Sequence, residues 1–534
     1  MNDIKLLDCT LRDGGYVNDW EFGNDNIINI FERLVSAKID IIEVGFLDER
    51  RNFDLNRTIM PDCYAVNTVY GGLEKEDSLI VGMIDYGTCG IEHILPSDNC
   101  FLDGIRVIFK KHIMNQAIDF CGQIKKLGYK VFVQAVSITS YSDDEMMTLL
   151  KLVNELEPYA FSLVDTYGLL HKNNLMHYFN LADKHLKYSI GLGYHSHNNF
   201  QLAYANCMEL LGSPPQNRML LVDGSLYGMG KGAGNAPIEL IAMYANDNLN
   251  KQYRLAQILE AIDITILEIY RKVPWGYSFK FFIAASNDCH PNYVTYLTDK
   301  KTLSIKSINE ILSKIIRDKK LMYDKAYIEQ LYLEHQLKED YDDKEDLRQL
   351  KDIFNDKSIL LLGPGNTILT EQKFIENYIK EIKPIVIAVN YLPNYNVHFI
   401  FISNARRYVQ LSSRISKLDA DIKLISTSNV TKAKGDFDYT LEYSSLLDTK
   451  AQFVDNPMIM LIKLLNSCES KDIALAGFDG YTKARTSDYI NPNMEYSFTK
   501  EKAMEINNDA IASLKRLGDI LPVKFITTSC YNKD

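Results

Sequence analysis

The sequence predicts an α/β protein built on two parallel sheets, the first closed as a (β/α)8 barrel and the second open and Rossmann-like. Over the first 240 residues, eight short β-rich runs alternate with stretches whose apolar residues follow the helical period. After a charged stretch near residue 340, a buried strand followed by glycines starts a second alternation. Strands that alternate with helices predict parallel sheets, because a parallel connection needs a crossover helix.

Eight runs are the candidate strands of the first sheet. They are Ile4–Cys9, Ile41–Phe46, Leu79–Ile84, Gly104–Phe109, Lys130–Ala135, Ala160–Val164, Ser189–His195 and Met219–Asp223. The helical stretches between them include Asn26–Ala37, Asn115–Leu127 and Asp143–Leu156. A doubly wound open sheet is the structural alternative. The count of eight, with polar residues at the strand ends, favours a closed TIM barrel over residues 1–250.

The rest of the chain is predicted as a helical extension over residues 251–345 and a Rossmann-like domain over residues 355–534. Helical spacing in the extension covers Tyr253–Tyr270, Ser304–Arg317 and Lys325–Gln336. The charged stretch Lys338–Lys351 indicates a solvated linker or an exposed helix. The predicted strands of the second sheet are Ser358–Leu362, Ile385–Asn390, His398–Ser403, Lys423–Ser426 and Ile473–Gly477.

Composition excludes several classes of protein. Hydrophobic residues make up 46% of the chain and charged residues 24%, which are ordinary globular values. A formal net charge of −11 without a dense basic block argues against binding to nucleic acid or to an anionic membrane. No apolar run approaches the roughly 18 residues of a membrane helix, and the first residues show no signal-peptide pattern. Nine cysteines without CxxC spacing indicate free thiols, so we expect a cytoplasmic protein.

The first candidate site is the sequence DCTLRDGG, residues 8–15, at the end of the first predicted strand. Asp13 offers a hard oxygen ligand, and Arg12 offers a planar fork that can hold a carboxylate or a developing enolate oxygen. Polar residues at the carboxyl ends of barrel strands lie at the mouth where such barrels carry active sites. A capped turn with a surface ion pair is the structural alternative for this segment.

The second candidate site is GYHSHNN, residues 193–199, at the end of the seventh predicted strand. His195 and His197 point to the same side, because side chains alternate along an extended segment. Two neutral imidazoles and one carboxylate form a three-ligand face with open positions, as a catalytic divalent metal requires. The alternative is a pair of histidines packed in the core or exposed on the surface.

The third candidate site is GMGKGAGNAP, residues 228–237, after the eighth predicted strand. Its glycines permit close approach of the backbone to a ligand. It lacks the spacing of a phosphate-binding Walker loop, because no Ser or Thr follows Lys231.

These three segments together resemble the DRE-TIM metallolyase superfamily, which includes hydroxymethylglutaryl-CoA lyase, isopropylmalate synthase and 4-hydroxy-2-oxovalerate aldolase. The resemblance covers roughly residues 1–300 and also rests on Glu43 in IIEVGF and on Asp165-Thr166 in VDTYG. Among the branches, the sequence is most similar to the aldolase. The resemblance implies a TIM barrel and a carbon–carbon lyase of the aldehyde-lyase type.

The resemblance implies a role for each matching residue. Asp13, His195 and His197 would bind Mn²⁺ or Mg²⁺, and Arg12 would stabilise the enolate of pyruvate. Thr166 falls where the aldolase has the hydroxyl residue that binds the pyruvate carboxylate.

Two further matches complete the implied site. Asn235 corresponds to a further metal ligand of the lyase branch, and Tyr277 is similar to the tyrosine that closes over the aldolase site. The implied partners are a small-molecule 2-oxo acid and an aldehyde, which can be sugar-like. We also expect a homo-oligomer.

One position departs from the aldolase pattern. The aldolase has a histidine three residues after its aspartate, which acts as the base, and here that position is Tyr16. Tyr16 itself or His112 are the candidates for the base. A missing base also leaves open an acyl-CoA-dependent Claisen condensation on the same barrel.

Two other stretches carry resemblances of their own, the first of them to aldolase-domain proteins of bacterial surface-polysaccharide clusters. The first is DCHPNY, residues 288–293, together with the DGGY variant of the first candidate site. The second is AGFDGY, residues 476–481, which is similar to a segment of nucleotide-sugar domains. A bifunctional protein with a nucleotide-sugar-binding second domain is therefore an alternative function, and a plain strand-to-helix turn is the structural alternative.

Overall fold

The protein is described here by a computed structural model. The structure describes residues 3–300, 303–320, 322–338, 341–419, 421–431, 436–483, 487–494, 499, 502–518 and 521–532. These residues form two compact units. The first comprises Met1–Val294 with Lys320–Met322, and the second comprises Thr295–Lys319 with Tyr323–Asp534.

The first unit is a closed barrel of parallel strands. The strands are β1 (Ile4–Asp8), β2 (Ile41–Leu47), β3 (Ile59–Met60), β4 (Leu79–Asp85), β5 (Gly104–Phe109), β6 (Lys130–Ala135), β7 (Ala160–Asp165), β8 (Gly191–Ser196) and β9 (Leu220–Gly224). The order is β1-β9-β8-β7-β6-β5-β4-β2, and β1 also pairs with β2, which closes the barrel. The two-residue β3 is an addition beside β2. The predicted TIM barrel is confirmed.

Helices cover the outside of the barrel and extend it. They are Gly15–Asn18, Asn24–Ser36, Cys63–Tyr70, Met114–Lys126, Asp143–Leu156, Lys172–His185, Ala203–Gly212, Ile238–Leu249, Leu255–Ala261, Leu267–Lys272, Phe279–Ser286 and Pro291–Asp299. The longer helices turn an apolar stripe inward: Ile30, Phe31 and Leu34 of Asn24–Ser36 are fully buried. Ser142 and Glu145 start Asp143–Leu156 with a reciprocal capping box.

The second unit holds a second parallel sheet, as predicted. Its strands are β10 (Ser358–Leu362), β11 (Ile385–Val389), β12 (Phe399–Ile402), β13 (Lys423–Thr427), β14 (Tyr439–Leu441), β15 (Asp472–Ala476) and β16 (Val523–Phe525). They are parallel, in the order β14-β13-β12-β11-β10-β15-β16. The sequence did not indicate β14 and β16, because a three-residue strand at or near a sheet edge has too few residues to show periodicity.

Helices pack on both faces of this sheet. The helices of this part of the chain are Ile305–Ser313, Arg317–Lys320, Lys325–Gln336, Lys344–Phe354, Thr367–Thr370, Gln372–Ile382, Ala405–Ile415, Tyr443–Leu446, Pro457–Ser467 and Ala503–Gly518. Leu360 and Leu362 of β10 share one core with Ile375 and Leu411, and the alternate residues Ile359 and Leu361 belong to the core on the other face. The sheet is therefore doubly wound.

The charged stretch predicted as a linker or exposed helix is partly helical. Lys344–Phe354 is a helix, and its Leu350 and Phe354 are fully buried in the core of the second sheet. Residues 339 and 340 of the stretch lie outside the described residues. Within the described chain, we find no helix with the length and apolar character needed to cross a membrane.

Candidate metal centre and active site

Strand β1 leads into a π-helical turn, Thr10–Gly14, that carries Arg12 and Asp13. The turn is fixed by the carboxylate of Asp8, which accepts hydrogen bonds of 2.9 Å from both the amide and the hydroxyl of Thr10. Single π turns are frequent at functional sites, because the extra residue redirects side chains. Here the turn places Arg12 (5% exposed) and Asp13 (1% exposed) inside the barrel mouth.

Strand β8 ends with the two predicted imidazole ligands. Nδ1 of His195 lies 3.0 Å from Oδ2 of Asp223, and Nδ1 of His197 lies 3.0 Å from the main-chain oxygen of Asp165. Both oxygens only accept hydrogen bonds, so we assign the ring proton of each histidine to Nδ1. Each Nε2 then presents a bare lone pair.

The two Nε2 atoms face the carboxylate of Asp13. The distances are 3.4 Å from Nε2 of His197 to Oδ2 and 4.0 Å from Nε2 of His195 to Oδ1. The three ligand atoms of Asp13, His195 and His197 all lie within 4.8 Å of one another. Nε2 of His197 is buried and has no hydrogen-bond partner in the described chain. Nitrogen lone pairs that face a carboxylate repel it unless a cation lies between them. The side chains of Asp13, His195 and His197 therefore fit a divalent metal ion.

Electrostatics keep these groups in the protonation states that a metal requires. Burial works to raise the pKa of Asp13, but Arg12 and His197 hold that pKa well below its ordinary value. Burial lowers the pKa of His195, which keeps the imidazole neutral. A metal ligand must be an ionised carboxylate or a neutral imidazole, and both conditions are met here.

Asn235 lies near the carboxylate of Asp13, across Gly230. Its Oδ1 is buried without a hydrogen-bond partner in the described residues, while its Nδ2 lies 3.2 Å from the main-chain oxygen of Met229. Gly230 permits this arrangement, because a Cβ there would lie 2.4 Å from Nδ2 of Asn235 and 2.7 Å from Oδ2 of Asp13. Asn235 therefore lies close to Asp13, and its amide oxygen accepts no hydrogen bond from the described residues.

A network of buried charges holds the ligands from behind. Nε of Arg12 lies 2.7 Å from Oε2 of Glu43, and NH1 of Arg12 lies 2.5 Å from Oδ1 of Asp13. Arg106 pairs with the same oxygen of Glu43 at 3.1 Å and also with Asp223. The network thus connects Arg12 to the aspartate that orients His195.

Sequence reasoning did not assign Arg106 and Asp223 to the site. Both lie in strands that are otherwise apolar, GIRVIF and LLVDG, and both are almost fully buried. A charged residue inside a buried strand needs a partner of opposite charge. That pattern was the signal that could have identified them.

Six of the seven predicted site residues line one small cavity of about 60 Å³ at the barrel mouth. They are Arg12, Asp13, Tyr16, Thr166, His195 and His197. The seventh, Tyr277, is 59% exposed and does not line this cavity. His112, the second candidate for the base, is exposed and does not line it either.

Lys231 also lines the cavity, although the sequence singled it out only as part of a glycine-rich loop. Its amide donates to Oδ2 of Asp13 over 3.1 Å, and its ammonium lies 5.2 Å from the centre of the Tyr16 ring. Burial lowers the pKa of Lys231. Burial and the carboxylate of Asp13 raise the pKa of Tyr16, so the phenol is protonated at neutral pH.

The geometry agrees with the comparison to known protein families. The model of the HMGL-like family matches residues 3–265, a stretch that contains every strand of the barrel and the three metal-site residues. Residues 3–265 belong to the HMGL-like family. This family lies within the DRE-TIM superfamily of lyases, aldolases and condensing enzymes, which use a divalent metal.

Individual relatives of the HMGL-like domain are distant. The chain is 21% identical to 4-hydroxy-2-oxovalerate aldolase of Geobacillus genomosp. 3, over 49% of this chain and 77% of that protein. It is 24% identical to 2-isopropylmalate synthase of Saccharolobus solfataricus, over 46% of this chain and 63% of that protein. HMG-CoA lyase of Bacillus subtilis is a structural neighbour at 15% identity and a TM-score of 0.41, covering 52% of this chain and 94% of that one.

Proposed function

We propose that the HMGL-like domain is a divalent-metal-dependent aldolase that forms or cleaves a carbon–carbon bond through the enolate of a 2-oxo acid such as pyruvate. The observation that supports this most directly is the convergence of Asp13, His195 and His197. Mn²⁺ and Mg²⁺ are the ions that we propose for this site. When bound, such an ion polarises the carbonyl of the 2-oxo acid and lowers the cost of forming the enolate.

Arg12 and Thr166 would bind and orient the substrate. Arg12 lines the cavity with Nε and NH1 already paired. Burial works to lower the pKa of its guanidinium, but the carboxylates of Glu43 and Asp13 raise that pKa and keep the group a cation. A fixed guanidinium stabilises negative charge that develops on the carbonyl oxygen. Oγ1 of Thr166 accepts a 2.7 Å hydrogen bond from the amide of Ser137, so its own proton is available to a carboxylate in the cavity.

We propose that Tyr16 transfers the proton of the aldehyde oxygen. In the direction of aldol addition, its protonated phenol would donate to the aldehyde oxygen, and in cleavage the phenolate would take that proton back. The ammonium of Lys231 near the ring stabilises the phenolate. The raised pKa keeps the phenol protonated, which is the form that donates in the addition direction.

Deuterium exchange at the methyl group of pyruvate tests the enolate directly. We expect mass spectrometry to show exchange in heavy water with Mn²⁺ or Mg²⁺ present, none with excess EDTA, and none in Asp13→Asn. Asp25→Asn, on an exposed helix position, is the matched control and should exchange like the unmodified protein. Electron paramagnetic resonance of added Mn²⁺ gives a readout independent of activity, and Asp13→Asn should leave the ion free.

Two results would contradict the aldolase proposal. One is the absence of pyruvate exchange while Mn²⁺ is bound. The other is release of free CoA when acetyl-CoA and a 2-oxo acid are supplied, since that would assign the domain to the condensing enzymes, as the distant 2-isopropylmalate synthase relative allows.

A further inference from the structure

We propose that the second unit carries a nucleotide-binding site, in a cavity at the carboxyl edge of its parallel sheet. The cavity has a volume of about 170 Å³, and the described residues that line it all belong to the second unit. The HMGL-like match ends at residue 265, so this site goes beyond the proposed function of the barrel.

The topology of the sheet places the cavity where open α/β sheets bind ligands. The strand order reverses between β10 and β15, because the chain winds outward from β10 to β14 and then returns to the other side of β10. At such a reversal the connections leave toward opposite faces and open a crevice beyond the strand ends. Gly365 after β10, Asn390 after β11, Asn404 after β12 and Gly477 after β15 all line the cavity.

Close contact between two turns forms the floor of this crevice. The amide of Gly365 donates to the main-chain oxygen of Gly477 over 2.8 Å. A Cβ on Gly365 would lie 2.5 Å from that oxygen, and Gly477 has a φ of +72°, so side chains at these positions would force the turns apart. Asp479 ties the floor together by accepting hydrogen bonds from the amide and hydroxyl of Thr367.

One wall of the cavity is aromatic. It is formed by Phe453, Phe478, Tyr481, Tyr489 and Tyr531. The hydroxyls of Tyr481 and Tyr489 lie 2.7 Å apart, which holds the two rings in place. Flat π surfaces of this kind stack on a planar ring, and stacking on a nucleobase contributes about 1–3 kcal/mol per base.

Cationic and acidic side chains line the same cavity beside this wall. Arg407 is 5% exposed and lies in the first turn of Ala405–Ile415, while Lys300 is half-buried. A guanidinium in the first turn of a helix suits a phosphate group, and the ammonium of Lys300, which lies 4.5 Å from the centre of the Tyr332 ring, adds positive charge to the lining. Asp455 and Asp488 supply carboxylate oxygens that can accept from sugar hydroxyls, as acidic residues do for ribose in sheets of this class.

A nucleotide is the ligand class that uses all three surfaces together. Its base matches the aromatic wall, its ribose the carboxylates and its phosphate the cations. Inorganic phosphate would leave the aromatic wall unused, and a nucleoside would leave Arg407 and Lys300 unused. Comparing the affinities for a nucleotide, a nucleoside and inorganic phosphate therefore separates the contribution of the aromatic side chains from that of the cations.

Isothermal titration of the full chain tests the site with CMP, UDP, ADP, uridine and inorganic phosphate as separate probes. We expect one of the three nucleotides to bind with 1:1 stoichiometry and at least tenfold more tightly than uridine or phosphate. Arg407→Gln should weaken that binding by about tenfold or more, the effect of losing a hydrogen bond to a charged group. Lys300→Gln should weaken it as well, and it serves as the second variant if Arg407→Gln does not fold.

Matched controls locate the binding. Arg414→Gln changes an exposed arginine of the same helix and should leave nucleotide affinity unchanged. Asp13→Asn disrupts only the barrel site and should also leave it unchanged, so failure of the aldolase proposal would not affect this result. The proposal is overturned if none of the nucleotides binds at millimolar concentration, or if phosphate binds as tightly as the nucleotide. It is equally overturned if both Arg407→Gln and Lys300→Gln bind like the unmodified chain.

Discussion

The carboxylates at the barrel mouth and those at the edge of the second sheet have different kinds of partner. Asp13 and Asp223 are paired with arginines and face imidazole nitrogens. Asp479, at the second sheet, accepts hydrogen bonds from the amide and hydroxyl of Thr367, both neutral donors. The barrel therefore concentrates charge and lone pairs around one point, whereas the cavity of the second sheet combines aromatic side chains with cationic and acidic ones.

The two cavities also differ in volume and in the side chains that line them. The barrel cavity measures about 60 Å³ and is surrounded by titratable groups, while the second measures about 170 Å³ and has an aromatic wall. A small, strongly polarised cavity suits chemistry on a small molecule, because fixed charges act best where water is excluded. A larger cavity with an apolar wall suits recognition of a larger ligand.

Tyr16→Phe gives the largest expected effect and tests whether the barrel mouth performs chemistry or only binds a cation. Removing the hydroxyl should lower the rate of cleavage of a 4-hydroxy-2-oxo acid by roughly 10²–10⁴-fold, the usual contribution of a positioned acid or base. Mn²⁺ affinity should stay unchanged, because Tyr16 is not a metal ligand. A coupled assay of pyruvate release measures the rate, with exposed Tyr64→Phe as the control. An unchanged rate would exclude Tyr16 as the group that takes the proton during cleavage.

The variant Arg12→Gln has the next largest expected effect, and it tests the role of the buried positive charge. Loss of the guanidinium should lower kcat by about 10²–10³-fold, as loss of an oxyanion donor does. The metal should still bind, since Asp13 and both imidazoles remain. Steady-state kinetics at saturating Mn²⁺ measure the effect, and circular dichroism checks the fold. If Arg12→Lys, which keeps the charge, loses as much activity as Arg12→Gln, then the planar fork rather than the charge is required.

The variants Asp223→Asn and Asp479→Asn compare a carboxylate of the barrel with a carboxylate of the second sheet. Asp223 orients His195, so Asp223→Asn should weaken Mn²⁺ binding by about 10–100-fold, the effect of removing a group that positions a metal ligand. Asp479→Asn should leave Mn²⁺ affinity unchanged, because that carboxylate belongs to the other sheet. Equal Mn²⁺ affinities in both variants would show that the network behind His195 does not act on the metal.

Much of the barrel and its site followed from local patterns. The alternation of short apolar runs with helical stretches predicted the eight strands, and polar residues at strand ends identified Asp13, His195 and His197. These signals are visible because each ligand lies within a few residues of a strand end. In the structure, the Nε2 atoms of His195 and His197 face the carboxylate of Asp13, and this explains why the three residues form one set.

Other parts of the site depend on contacts between distant segments. Arg106 lies 117 residues from Asp223, and the amide of Lys231 meets a carboxylate 218 residues away. No periodicity or spacing in one sequence records such pairs. Tyr277 is a different case, since its role over the site is implied only by the resemblance to the aldolase, and its side chain is 59% exposed in this structure.

Asp8 is a carboxylate of the barrel that differs from its neighbours, because no basic side chain of the described chain pairs with it. Burial raises its pKa from 3.8 to about 7, although hydrogen bonds from Thr10 oppose the shift. Below about pH 4 both folded and unfolded chains hold the proton. Between pH 4 and 7 the unfolded chain loses the proton first, so stability falls as pH rises.

Asp8→Asn should remove this pH dependence of stability and leave the proposed metal site in place. The carboxylate lowers the free energy of unfolding by up to roughly 4 kcal/mol once the pH exceeds 7, given about 1.4 kcal/mol for each pKa unit. The variant should therefore gain stability relative to the unmodified chain as the pH increases from 5 to 8, since Asn carries no charge. Urea unfolding of the barrel at several pH values measures the difference, with Asp25→Asn as the exposed control. Parallel profiles for Asp8→Asn and the unmodified chain would show that Asp8 is ionised throughout, and the contrast between paired and unpaired carboxylates in the barrel would then not hold.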